Sequence, residues 1–149
     1  MRIEDEIKQY QFPNALSKAI LNILVTADRI SSATNATLKP FGISKEQFNV
    51  LRILRGQHPK PSPLQLISER MISQSSNATR LVEKLRMRGL VERNPCPSNR
   101  RKVDILITQQ GMDLLDAIDP HLTASGHFEG NITEGEAEEL NRLLDKLRG

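Results

Sequence analysis

Apolar residues recur along this chain mostly at helical spacing and alternate in only one region. Leu16, Ala19, Ile20, Ile23, Leu24, Ala27 and Ile30 form a stripe with three- and four-residue intervals, which predicts a long helix over 14–38. Pro13 is suited to open it, and Pro40 and Gly42 to close it. In the next stretch, ISKEQFNVLRILRG, Ser44 and Gln47 have capping-box spacing, so that each side chain can satisfy a free backbone N–H of the first turn. Phe48, Leu51 and Leu54 supply the buried face of this second helix before Gly56 ends it. The proline-rich HPKPSP (58–63) reads as a loop. Ser62 and Gln65 then repeat the capping-box spacing, with Pro63 at the first helical position, and predict a short helix over 63–71. After a turn at ISQS, SSNATRLVEKLRMR predicts a helix over 75–88 that Gly89 stops. Leu81, Val82 and Leu85 face inward; Ser75, Ser76, Asn77, Thr79, Arg80 and Lys84 occupy the opposite side.

The period then shortens to two. LVER (90–93) and KVDILI (102–107) read as strands, with Val103, Ile105 and Ile107 on one side, and NPCPSN between them makes a hairpin with a proline-rich, basic tip. Thr108 is placed to cap a further helix that is apolar at Met112, Leu114, Leu115 and Ile118 and ends near Pro120. A loose segment runs through Gly126 and Gly130. Thr133 and Glu136 form a third capping box, opening a final helix with Leu140, Leu143, Leu144 and Leu147 on one face. The fold class is therefore mainly α with one small β-hairpin, and 149 residues suit a single domain.

Charge sharpens the picture. The net charge is only +3, but residues 80–102 carry eight basic and two acidic side chains, whereas residues 113–149 carry three basic and nine acidic ones. A basic run usually marks nothing more than a solvated face. Here it lies directly beside two short helices joined by a tight turn, the arrangement that sets a second helix into a DNA major groove. Small polar side chains and amides approach base edges closely and offer donors and acceptors. Gln74, Ser75, Ser76, Asn77 and Thr79 fit that need, while Arg80 and Lys84 suit phosphates. The hairpin then acts as a wing. Its Arg93, Arg100, Arg101 and Lys102 are expected to meet phosphates or an adjacent minor groove.

These residues carry a family resemblance. SSNATRLVEKLRMRGLVERNPCPSNRRKVDILITQQG resembles the recognition helix, wing and following helix start of MarR-type winged helix-turn-helix transcriptional regulators, and ISKEQFNVLRIL and PSPLQLISERM resemble the two helices before it. The family usually has Asp-x-Arg in the wing, where this chain has Asn99 and Arg101; the charge-assisted part of that contact is lost and a looser tip is expected. The resemblance implies a winged helix-turn-helix region over 43–108, with residues 1–40 and 109–149 forming dimerisation helices. It further implies a homodimer that binds palindromic double-stranded DNA, usually as a repressor relieved by a small aromatic effector. Arg29, Phe48 and Arg52 are candidates for the effector site. The apolar stripes of the terminal helices agree with pairing, since a single chain would leave them uncovered.

Other chemistry has little support. One cysteine excludes an internal disulfide and a cysteine-rich zinc site. Cys96 lies in the wing loop and reads as incidental rather than as a redox sensor. His58 reads as a loop residue, and His121 and His127 with Asp116, Asp119 and Glu129 lack regular ligand spacing, so no metal or cofactor is expected. No nucleophile–base order or phosphate-binding glycine loop marks an enzyme. No apolar run approaches the roughly 20 residues of a membrane span, and MRIEDEIKQYQF does not resemble a signal peptide. A cytoplasmic regulator is expected. A winged helix used only for protein contact is the alternative, and it predicts no salt-dependent affinity for DNA.

Overall fold

The computed structural model describes residues 1–124, 128 and 130–149. A short α1 (Ile3–Ile7) precedes the long α2 (Ala15–Leu38), whose cap is Asn14 rather than Pro13: its side chain accepts the Ser17 N–H at 2.8 Å. A 3-10 turn at Lys39–Phe41 ends on Gly42, whose φ of 69° is the left-handed conformation that glycine adopts without strain. Next come α3 (Lys45–Gln57), β1 (Ser62–Pro63), α4 (Leu64–Arg70), α5 (Ala78–Met87), β2 (Val91–Cys96), β3 (Asn99–Ile107), α6 (Gln109–Ala124) and α7 (Glu134–Arg148). The strands form one antiparallel sheet in the order β1-β3-β2.

The capping boxes at Ser44–Gln47 and Thr133–Glu136 are both formed. The one expected at Ser62–Gln65 is not. Ser62 and Pro63 are extended and pair with Ile105 and Asp104, adding a third strand, so α4 begins at Leu64 on an uncapped Pro63. Gln65 instead donates to Glu69 one turn ahead. Helix α3 runs past Gly56 to Gln57, where the His58 N–H reaches back to the Leu54 and Arg55 carbonyls. Helix α6 likewise runs through Pro120. Proline removes one backbone hydrogen bond there, but Ile118 before it is fully buried and Leu122 after it packs on the core, which holds the turn in register. The expected loose segment lies partly outside the described residues at Gly126; Gly130 is in a turn with φ of 85°.

The core lies where α3, α4, α5, α6 and β3 meet. Val50, Leu51, Leu54, Ile67, Val82, Leu85, Ile105, Leu115 and Ile118 are buried there, and Leu38 closes it from the end of α2. Each such side chain contributes about 1.5–3 kcal/mol by leaving water. Helices α2 and α7 contribute little: Leu38 is the one buried residue of α2, and α7 has none.

Helix α1 is too short to show a period, and charge helps to dock it. Glu4 is buried, and its carboxylate accepts from Lys18 Nζ of α2 at 2.5 Å and from Arg2 at 3.0 Å. The Lys18 ammonium, with help from the backbone and Arg2, holds the Glu4 carboxyl down to about 2 from an ordinary 4.5. A depressed folded value stabilises the docked state above the ordinary one, and that stabilisation is lost as the pH falls from 4.5 toward 2. Carboxyl-carbon NMR of Glu4 should therefore show a midpoint near 2 that moves up in Lys18→Met; a wild-type midpoint near 4.5 would contradict the contact.

Candidate nucleic-acid interface

The turn between α4 and α5 is built by two amides. Gln74 Nε2 donates to the Met71 carbonyl at 2.7 Å, and Asn49 Oδ1 on α3 accepts the Ile72 N–H at 2.9 Å. Gln74 therefore secures the turn, and its amide nitrogen is committed there. Helix α5 starts three residues later than its polar run suggests. Asn77 is the cap, its Oδ1 accepting the Arg80 N–H at 3.1 Å, while Ser75 and Ser76 precede the helix. Three successive residues here are competent caps; burial of Ala78 draws the first turn to Asn77. Thr79, Arg80 and Lys84 are exposed along the helix, and Asn77 at its cap is exposed too.

The wing is longer than the sequence pattern indicates. Its strands run to Cys96 and from Asn99, leaving Pro97 and Ser98 as the turn, with a register shift between Pro95 and Cys96. Asn99 Oδ1 accepts the Arg101 backbone N–H at 3.0 Å, so it shapes the tip through the backbone and not through an arginine side chain. Cys96 is half-buried, with Sγ 3.2 Å from Ser98 Oγ. At the wing base, Thr108 Oγ1 donates to the Gly89 carbonyl at 2.7 Å and accepts the Gly111 N–H at 3.1 Å, closing the hairpin onto α6.

Two grooves flank the wing. One, of about 270 Å³, runs between the wing, α4 and α5 and brings Thr79 together with Arg93, Arg101 and Lys102 above Pro63, Leu64, Val82 and Ile105. The other, of about 480 Å³, joins Arg93, Arg100 and Lys102 to Glu83, Arg86 and Asn94, which no sequence pattern marks. Glu83 accepts from Arg86 at 2.6 and 3.0 Å and lies 3.8 Å from Arg93, and the Arg86 guanidinium is the main cause of its lowered carboxyl pKa.

The three effector candidates differ in their surroundings. Arg29 pairs with Glu6 of α1, its Nε at 3.0 Å. Phe48 is a core residue with the Arg52 guanidinium 5.7 Å from its ring centroid, and neither groove is lined by any of the three. The carboxylates weighed as metal ligands have another partner: Arg55 of α3 lies 2.7 Å from Asp119 and 3.9 Å from Asp116. His121 packs its ring against Phe41; His127 and Glu129 lie outside the described residues. Arg88, whose role the sequence did not indicate, donates to the Gly42 and Phe41 carbonyls and fixes the turn after α2. Among the described residues no helix is long and apolar enough to cross a membrane.

A capped polar helix following a tight two-helix turn, flanked by a basic antiparallel hairpin, is a winged helix-turn-helix, a DNA-binding fold. The MarR family model matches residues 43–103. The chain is 34% identical over 102 residues to the transcriptional repressor NicR of Pseudomonas putida, covering 68% of this chain and 63% of that one. It is 31% identical to a MarR transcription factor of Planctomyces limnophilus, whose crystal structure superposes with a TM-score of 0.69 over 91% of this chain and 98% of that one. CouR of Rhodococcus jostii RHA1, solved with p-coumaroyl-CoA, shares the fold at a TM-score of 0.75 and 21% identity, over 91% and 95% of the two chains. The chain belongs to the MarR family of transcriptional regulators, which are DNA-binding proteins and not enzymes.

Proposed function

We propose that the protein is a cytoplasmic repressor that binds a palindromic operator as a homodimer and is released by a small, aromatic effector. The observation that carries the DNA contact is the convergence of Thr79 with Arg93, Arg101 and Lys102 on one groove beside a helix N-terminus. In this reading Ser75, Ser76, Asn77 and Thr79 read bases, Arg80, Lys84, Arg93, Arg100, Arg101 and Lys102 hold phosphates, and Gln74 positions the turn. Pairing is supported by the uncovered apolar stripes of α2 and α7. Repression is supported by the likeness to NicR, and an aromatic effector by the ligand that CouR holds.

Gel-shift titration over a salt series tests the interface. Arg100→Ala is expected to weaken binding on all duplexes and to reduce the salt slope by about one. Asn77→Asp separates two roles of one side chain. It keeps the cap acceptor, so the melting temperature should change little, but it replaces the amide donor with a carboxylate and should alter the preferred bases. A protein that binds no duplex at either low or high salt is a protein-contact module, and the proposal fails.

A further inference from the structure

The recognition helix carries one carboxylate among its basic groups, and its placement is specific. Glu83 accepts both Nε and Nη2 of Arg86, one turn along α5, and reaches Arg93 on β2 across the groove at 3.8 Å. The same groove is lined by Arg100 and Lys102, so four cations surround a single carboxylate. A carboxylate and a phosphate present the same acceptor geometry to a guanidinium fork. Glu83 thus already makes, with Arg86, the contact that a DNA phosphate would make.

We propose that Glu83 limits affinity for DNA as an internal counter-ion that a phosphate entering this groove must displace from Arg86 and Arg93. This rests on the DNA-binding reading above. Sequence-independent affinity comes from protein cations that displace the cations condensed on DNA when they meet its phosphates. An arginine already neutralised by Glu83 displaces fewer of them, and a phosphate in the groove also meets a like charge. Base contacts from Asn77 and Thr79 lie a turn or more toward the N-terminus and bear no such penalty. The outcome is lowered affinity for every sequence with base discrimination retained.

The test compares wild type, Glu83→Gln and Glu139→Gln across a salt series. The probes are a mixed-sequence duplex and a duplex selected from a random library by the wild-type protein. Glu139 on α7 has the same paired geometry with Arg142, at 2.6 and 2.8 Å, so its variant matches the change in net charge away from the wing. Glu83→Gln should bind the mixed duplex about tenfold more tightly, with a salt slope steeper by about one to two. Its gain on the selected duplex should be similar, and Glu139→Gln should keep the wild-type slope. An unchanged slope in Glu83→Gln, or an equal steepening in both variants, overturns the role of Glu83 while leaving DNA binding intact. Absence of salt-dependent binding by wild type overturns both. If Glu83→Gln does not fold, the Arg86 side-chain N–H signal of wild type decides: it should shift when mixed duplex is added, and an unmoved signal overturns the proposal.

Discussion

Leu24→Glu is expected to leave the protein monomeric and to weaken its hold on an operator by about a hundredfold or more. Leu24 is 60% exposed on α2, in a stripe with Leu16, Ile20 and Ile30, and α7 leaves Leu140, Leu143 and Leu147 about half exposed. A lone exposed leucine is ordinary, but a long helix with one buried residue is not accounted for by its own chain. Covering such a side chain against a second copy is worth about 1.5–3 kcal/mol. A carboxylate at the same point adds several kcal/mol of desolvation. On the dimeric reading proposed above, two half-sites are then no longer read by one molecule, and the effective-concentration gain of linked binding disappears. Light scattering over a dilution series measures the mass; a Leu24→Glu protein that stays dimeric at micromolar concentration would place the pairing surface elsewhere.

Gly111→Ala is expected to destabilise the fold by about 3 kcal/mol, against the usual sign of that exchange in a helix. Within α6, alanine would ordinarily be favoured by about 1 kcal/mol. At Gly111 an added Cβ would stand 2.3 Å from the Leu90 carbonyl oxygen and 2.7 Å from Ile107 Cγ1. The first obstacle is backbone, at the point where the wing base joins α6 through Thr108, so it cannot give way without moving the hairpin. Gly135 in the first turn of α7 has nothing within 4 Å of its added Cβ, so Gly135→Ala is the matched control and should be neutral or stabilising. Thermal or denaturant unfolding decides. Equal stability of Gly111→Ala and wild type would mean that the close approach is absent in solution.

Local signals in the chain were legible and nonlocal ones were not. The capping boxes at Ser44 and Thr133 form because each needs only residues three apart. Ser62 has the same spacing, but its strand partner Ile105 is distant in sequence, and pairing with it overrides the cap. Apolar spacing located the core faces of α3, α5 and α6, yet the same rule showed nothing of α1, which docks through buried Ile3 and through Glu4 meeting Lys18. Prolines hid the true length of the wing and of α6, since a residue that breaks a helix or strand in isolation is tolerated when its neighbours are anchored. At the candidate interface the residue types were readable from composition and order. Their division of labour was not: Gln74 holding a turn, Asn77 capping and Glu83 engaging two arginines are facts of three-dimensional proximity.

The sheet order β1-β3-β2 leaves two outer strands, and each contains a proline, Pro63 in one and Pro95 in the other. Proline has no amide hydrogen to offer a newcomer, and the first of these strands is only two residues long. Neither border can template an incoming extended peptide along its length, so the hairpin is shielded from the stacking that turns exposed β-ribbons into aggregates. A protein that must carry a protruding, extended finger in a crowded cell thereby keeps it from sticking to its own kind.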